Sequence, residues 1–208
     1  MKKLITLTLF ILIQHILYAQ KKDILDSLAI SYGLEHFKKI KNIQFTFNAK
    51  KESKTISRQW LWLPKQNIVV KDNKTSFKLY NSESNINEHQ FINDLYWLSF
   101  PIQLIKDRNS IRYHVENISS YRKLIIQYIN NKGNSPNDIY ELYLDKNLTI
   151  AKWIYRKAGN LKPTLETTWE SHRNYEGIKL SLVRNSDSIS DNFKVWFENI
   201  QIEKQHTK

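Results

Sequence analysis

The sequence predicts an α+β protein that is mainly β: an antiparallel sheet preceded by one helix and interrupted by a helical insert. Three observations predict it. Apolar residues recur at helical spacing in only two places, over residues 24–32 and 91–98, and elsewhere they mostly alternate with polar ones. Turn-forming Asn, Asp, Gly and Ser clusters recur through the C-terminal half at roughly the spacing of a strand meander. The segments between strands are too short for the crossover helices that parallel pairing requires.

The elements follow in order. Lys2 and Lys3, the apolar run Leu4 to Ile13 and the small residue in Tyr18-Ala19-Gln20 form a secretory signal over residues 1–20. The apolar run is too short to span a bilayer, and no cysteine stands at the cut to carry a lipid. Residues 21–208 are expected to form one domain. Asp23 to about Lys39 is a predicted helix with Ile24, Leu25, Leu28, Ala29 and Tyr32 on one face, bent or ended at Gly33. Ile43, Phe45 and Phe47 alternate with polar residues, a half-buried strand. From Ile56 to Leu63, Trp60 and Trp62 alternate with Leu61 and Leu63, which predicts a strand covered on both faces and ended by Pro64. Short strands follow over 68–71 and 76–80. The polar loop 81–87 then leads to a helix over 88–100, nearly apolar all round at its end and stopped or bent by Pro101. The remaining strands run over 111–116, 121–129, 139–145, 148–156, 165–170, 178–182 and 193–202, with loops such as 130–134 between them.

Composition removes several function classes. With no cysteine, disulfides, thiolate metal sites and a cysteine nucleophile are excluded. The net charge of +12, two less without Lys2 and Lys3, comes from scattered lysines, with no arginine cluster or glycine-rich arm to mark a nucleic-acid surface. A basic surface does suit anionic headgroups or polysaccharide. No glycine-flanked serine, HExxH or phosphate-cradling loop is present, and only four glycines exist. His89 and Asp94 stand five apart, which does not stack them on one helix face as metal ligands. His114 and Glu116 share a strand face, but a solvated strand edge accounts for them. His36 and His172 lack a ligand partner at metal-binding spacing. No catalytic residue, metal site or cofactor is assigned, and the expectation is a binding protein and not an enzyme.

The aromatic content, 12% of the chain, leads to the candidate site. Each buried aromatic contributes roughly 2–3 kcal/mol, so most must be core. Trp60 and Trp62 need cover, however, and the helix from Phe91 to Phe100 needs a surface to lie on. Sheet and helix then either fill the space between them or leave an apolar cavity.

The chain is similar to the LolA/LolB-like lipoprotein-carrier superfamily, and to an exported Bacteroidetes branch of it. The strings that carry the resemblance are Tyr140-Glu-Leu-Tyr-Leu-Asp145 with Trp153 on the next strand, Asn174-Tyr-Glu-Gly-Ile-Lys-Leu180, and Phe91-Ile-Asn-Asp-Leu-Tyr-Trp-Leu-Ser-Phe-Pro101. Ser181 replaces a proline usual in that branch. The resemblance implies a strongly curved antiparallel sheet, an open half-barrel, with the helices packed on its concave side and acyl chains held between them. In the periplasmic carrier an early-strand arginine ties the helical lid shut; Arg58 is the only early-strand arginine in this chain. The expectation is therefore a monomeric periplasmic protein, without stable membrane insertion or nucleic-acid partner. It would hold a lipid or lipoprotein acyl chain against Trp60, Trp62, Phe91, Leu95, Trp97, Leu98, Trp153 and Trp169, with lysines meeting an anionic headgroup. Aspartate at both Leu95 and Leu98 would then abolish uptake. The alternative is a protein- or glycan-interaction module of the same fold with a filled core.

Overall fold

Residues 23–80, 85–129, 137–186 and 193–205 are described by the computed structural model. The expected export signal, the first four residues of the 81–87 loop and the 130–134 loop lie outside them.

The first helix ends where glycine was expected to interrupt it. Helix α1 (Ile24–Ser31) is capped by Asp23, whose carboxylate accepts the Leu25 N–H at 3.0 Å. Gly33 at φ 89° then turns the chain into the short α2 (Leu34–Phe37). A side chain could not stand there: a Cβ on Gly33 would lie 2.2 Å from the Gly177 carbonyl oxygen. The turn that brings Gly177 to this place is closed by its own N–H, which donates to Asn174 Oδ1 at 2.8 Å.

Among the described residues, two antiparallel sheets carry the rest. The larger has seven strands in the order β10-β11-β12-β1-β2-β3-β4, and the smaller has five in the order β5-β6-β7-β8-β9. In the larger sheet β1 (Ile40–Lys51) pairs with β12 (Lys194–Lys204) and β2 (Lys54–Leu63), followed by β3 (Ile68–Lys71) and β4 (Thr75–Lys78). The smaller sheet contains β5 (Ile111–Ile118), β6 (Tyr121–Tyr128), β7 (Ile139–Leu144), β8 (Ile150–Arg156) and β9 (Leu165–Thr168). The β7–β8 hairpin closes on Asp145, whose Oδ1 accepts the N–H groups of Asn147 and Thr149.

Three expectations need correction. Residues 165–170 do not form one strand: the ladder breaks at Trp169, and the chain leaves the smaller sheet at β9 to enter the larger one at β10 (Glu170–Tyr175). Ser171, the second residue of β10, has a φ of 54°, and a bridge between Thr167 and Ser186 at the end of β11 (Ile178–Asn185) joins the sheets. Strand β2 is not covered on both faces. Trp60 and Trp62 are buried, at 0% and 7% exposure, but Leu61 and Leu63 on the other face are only half-buried. The insert helix does not end near residue 100, and of the two outcomes expected at Pro101 it takes the bend. Helix α3 runs Ile86–Asp107, bending at Ser99 (φ −131°, ψ 29°) and continuing past the proline.

Helix α3 touches both sheets. Phe91 packs on Phe45, Trp60 and Trp62 of the larger sheet, with ring centroids 6.5, 5.4 and 5.8 Å away. Phe100 packs on Tyr140 and Trp153 of the smaller sheet at 5.1 and 5.3 Å. One apolar core thus runs from α1 through α3 to both sheets.

Candidate functional site

Two polar clusters hold α3 against the larger sheet. Asp94 is fully buried, and both its oxygens are taken by Arg58 of β2: Nε donates to Oδ2 and Nη2 to Oδ1, each at 2.7 Å. The Trp60 indole N–H adds a third bond to Oδ2 at 2.8 Å. Burial pushes the Asp94 carboxyl above its usual range, against the opposing pull of Arg58 and Trp60. One turn earlier, Lys71 Nζ donates to Asn87 Oδ1 at 3.0 Å and Gln90 Oε1 at 2.8 Å. Arg58, the early-strand arginine marked in the sequence, therefore does tie the helix to the sheet; Asp94 was the partner not foreseen.

The bend in α3 has its own fastening. Pro101 has no N–H to offer the Trp97 carbonyl four residues back. That carbonyl instead accepts from Arg184 Nη2 at 2.8 Å. Arg184 is fully buried, lies 3.7 Å from the Trp169 ring centroid, and gives its other terminal nitrogen to the Ser181 carbonyl and hydroxyl. Among the described residues no carboxylate pairs with it, and burial pushes its guanidinium down to about 9.

On the opposite side of α3, facing the smaller sheet, a partly open cavity of about 640 Å³ remains. This is the size of a small-ligand site. Helix α3 supplies Ile92, Tyr96, Trp97 and Phe100, and the smaller sheet supplies Tyr128, Tyr140, Trp153 and Tyr155. The wall is aromatic and tightly interlocked: Trp97 meets Trp153 at 4.8 Å, and Tyr140 meets Trp153 at 5.4 Å and Tyr155 at 5.1 Å.

Its polar part combines two aspartates, Asp107 and Asp138, with Tyr80, His89, Asn93 and Ser110. Asp107, at the end of α3, accepts the Tyr96 hydroxyl at 2.9 Å and the Tyr128 hydroxyl at 2.5 Å. Asp138 accepts the Tyr155 hydroxyl at 3.0 Å and the Ala158 N–H at 2.8 Å. Burial, and next the neighbouring aspartate charge, pushes the hydroxyls of Tyr96, Tyr128 and Tyr155 above the usual phenol range.

The candidate residues divide between core and cavity. Trp97 and Trp153 line the cavity. Trp60, Trp62, Phe91, Leu95, Leu98 and Trp169 stand outside its lining, at 0–7% exposure. The first three of these form the aromatic contact between α3 and the larger sheet. Leu95 and Leu98, 5% and 1% exposed, are core positions, so aspartate at both would attack the fold before any cavity. Sequence reasoning missed the tyrosines and the two aspartates. The available signal was Tyr140, Tyr155 and Tyr128 at like positions of neighbouring strands, which register alignment would have brought together. Nor do lysines await an anionic headgroup at this cavity: among the described lining residues there is no lysine or arginine. His114 and Glu116 lie on the exposed face of β5, where Glu116 pairs with Lys123 at 2.7 Å. No cluster of metal-binding side chains occurs among the described residues.

No protein-family model matches the sequence, and no curated protein matches it. Solved structures do. A LolA superfamily protein from Nitrosomonas europaea superposes with a TM-score of 0.50 at 9% identity, over 87% of this chain and 94% of that one. The fold is LolA-like. A DUF1329 family protein from Desulfovibrio piger gives a TM-score of 0.46 at 10% identity over 86% of this chain and 92% of that one. A domain assigned to outer membrane lipoprotein sorting, from Vibrio parahaemolyticus, gives 0.44 at 11% identity over 85% and 94%. At such identity the likeness is one of fold. The cavity between α3 and the smaller sheet is thus set in a LolA-like frame of two antiparallel sheets that do not close into a barrel.

Proposed function

We propose that this protein is an exported periplasmic carrier or binding module that holds a lipid, acyl chain or other amphiphile between α3 and the five-stranded sheet. The observation that carries the reading is the cavity itself. A tightly packed core would have no reason to leave about 640 Å³ beneath Trp97, Phe100, Tyr140 and Trp153. Its aromatic wall suits an apolar chain, and α3 would be the element that covers the chain once seated. The LolA-like fold supports the reading by analogy. The signal over residues 1–20 supports export, and no helix among the described residues is long and apolar enough to cross a membrane.

The test is gentle purification of the mature protein from its native envelope, native mass spectrometry, then solvent extraction. The expected result is a discrete non-covalent adduct that extracts as lipid. A bare mass that stays bare after envelope lipids are offered would overturn the reading and favour a surface-acting protein- or glycan-binding module.

A further inference from the structure

The acidic groups of the cavity lining are Asp107 and Asp138, which stand beside the imidazole of His89 and the neutral side chains of Tyr80, Asn93 and Ser110. Asp107 and Asp138 bring two carboxylates into a lining that, among the described residues, holds no lysine or arginine. The neighbouring cations are engaged elsewhere. Arg108 gives its terminal nitrogens to Asp23 at 2.8 Å and Asp26 at 2.6 Å, and Lys106 Nζ lies 5.7 Å from the Trp62 ring, towards the larger sheet. The hydroxyl protons of Tyr96, Tyr128 and Tyr155 are committed to the two aspartates. What each phenol oxygen can still offer a ligand is therefore a lone pair. A chain of net charge +12 has placed two carboxylates in the lining of this cavity.

Aromatic faces surround these acceptors. Tyr96, Trp97, Phe100, Tyr140, Trp153 and Tyr155 present rings whose negative faces attract an organic cation, the more so where water is excluded.

We propose that the ligand's polar end is a cationic amine or quaternary ammonium, seated by Asp107 and Asp138 within the aromatic wall, and not an anionic headgroup. This rests on the proposed binding of an amphiphile in the same cavity and names its class. Repulsion from the two carboxylates disfavours a fatty acid or phosphate end inside the cavity, whereas surface lysines would attract it only weakly and elsewhere.

The test compares three probes with the same tail: tetradecyltrimethylammonium, tetradecanoate and tetradecyl maltoside, each below its micellar concentration. Calorimetric titration of the mature protein is repeated on Asp107→Asn and Asp138→Asn, whose circular dichroism and melting check that they fold. The ammonium probe is expected to bind about tenfold or more tighter than the carboxylate. Either variant should shrink that ratio. Equal or tighter binding of tetradecanoate, a preference for the maltoside, or a ratio unmoved in both folded variants overturns the cationic assignment alone. No binding by any probe overturns the cavity reading and this assignment together.

Discussion

His172 shows what burial does to a single residue. Its Nε2 lies 3.2 Å from the Tyr32 hydroxyl, which itself accepts the Ile150 N–H at 2.9 Å. The contact ties the imidazole to the tyrosine hydroxyl. Burial, helped by the charges of Arg184 and Lys179, pushes the imidazole down from 6.5 to about 4. The unfolded chain therefore takes up a proton near pH 6.5 that the folded protein takes up only near pH 4. Between those values the unfolded state binds more protons, so stability falls as the pH drops through that window. Urea midpoints at about pH 7 and about pH 5 should differ in the parent protein and differ less in His172→Gln, which has no proton to take up. An equal pH dependence in both would contradict the assignment. The sequence left His172 without a role because its partner stands 140 positions away. Arg58 was legible as an early-strand arginine, whereas Asp94 was not legible as its mate, because only tertiary packing brings β2 to that face of α3.

At the scale of elements, α3 governs the site, and its bend is a compensated defect. Pro101 deprives the Trp97 carbonyl of its helical donor, and Arg184 supplies one from β11. Arg184→Met should destabilise the protein by about 1–3 kcal/mol, since it removes the guanidinium donor from the Trp97 carbonyl and from Ser181 in the core. Adding Pro101→Ala gives the Trp97 carbonyl a backbone donor again. The double variant should then recover about 1–2 kcal/mol relative to the additive expectation, measured by a denaturant double-mutant cycle. Strict additivity would sever the proposed link. A second pair of variants separates the two faces of the helix. Asp at Leu95 and Leu98 buries two unpaired carboxylates at several kcal/mol each, so circular dichroism should show an unfolded chain. Ile92→Asn, on the cavity face, should keep the fold and weaken amphiphile binding by roughly tenfold, the scale of one lost apolar contact. The helical stripe of Phe91, Leu95 and Leu98 was legible from its spacing. Of the cavity-facing set on this helix only Trp97 was singled out, because Tyr96 and Phe100 look like the same apolar helix until the second sheet is in place.

On the scale of the whole molecule, period-two patterning and turn chemistry were enough to predict an antiparallel, mainly β protein with one helical insert. They did not predict that β9 and β10 belong to different sheets. Leu165 to Glu170 alternates without interruption, yet Trp169 gives the smaller sheet its last bond, to the Ala151 carbonyl at 2.8 Å, and Glu170 opens β10, whose backbone takes a φ of 54° at Ser171. That division matters for function, since it gives α3 a sheet on either side. One side is filled by Phe91, Trp60 and Trp62, and the other is left open under Trp97 and Trp153. The central claim is that ligand enters only the second. It is tested most directly by following the indole N–H resonances of isotopically labelled mature protein during titration with a long-chain amphiphile. Signals of Trp97 and Trp153 should shift and saturate together while those of Trp60 and Trp62 stay in place. Movement of Trp60 and Trp62 with Trp97 and Trp153 unmoved would contradict the account, as would a spectrum that no amphiphile perturbs.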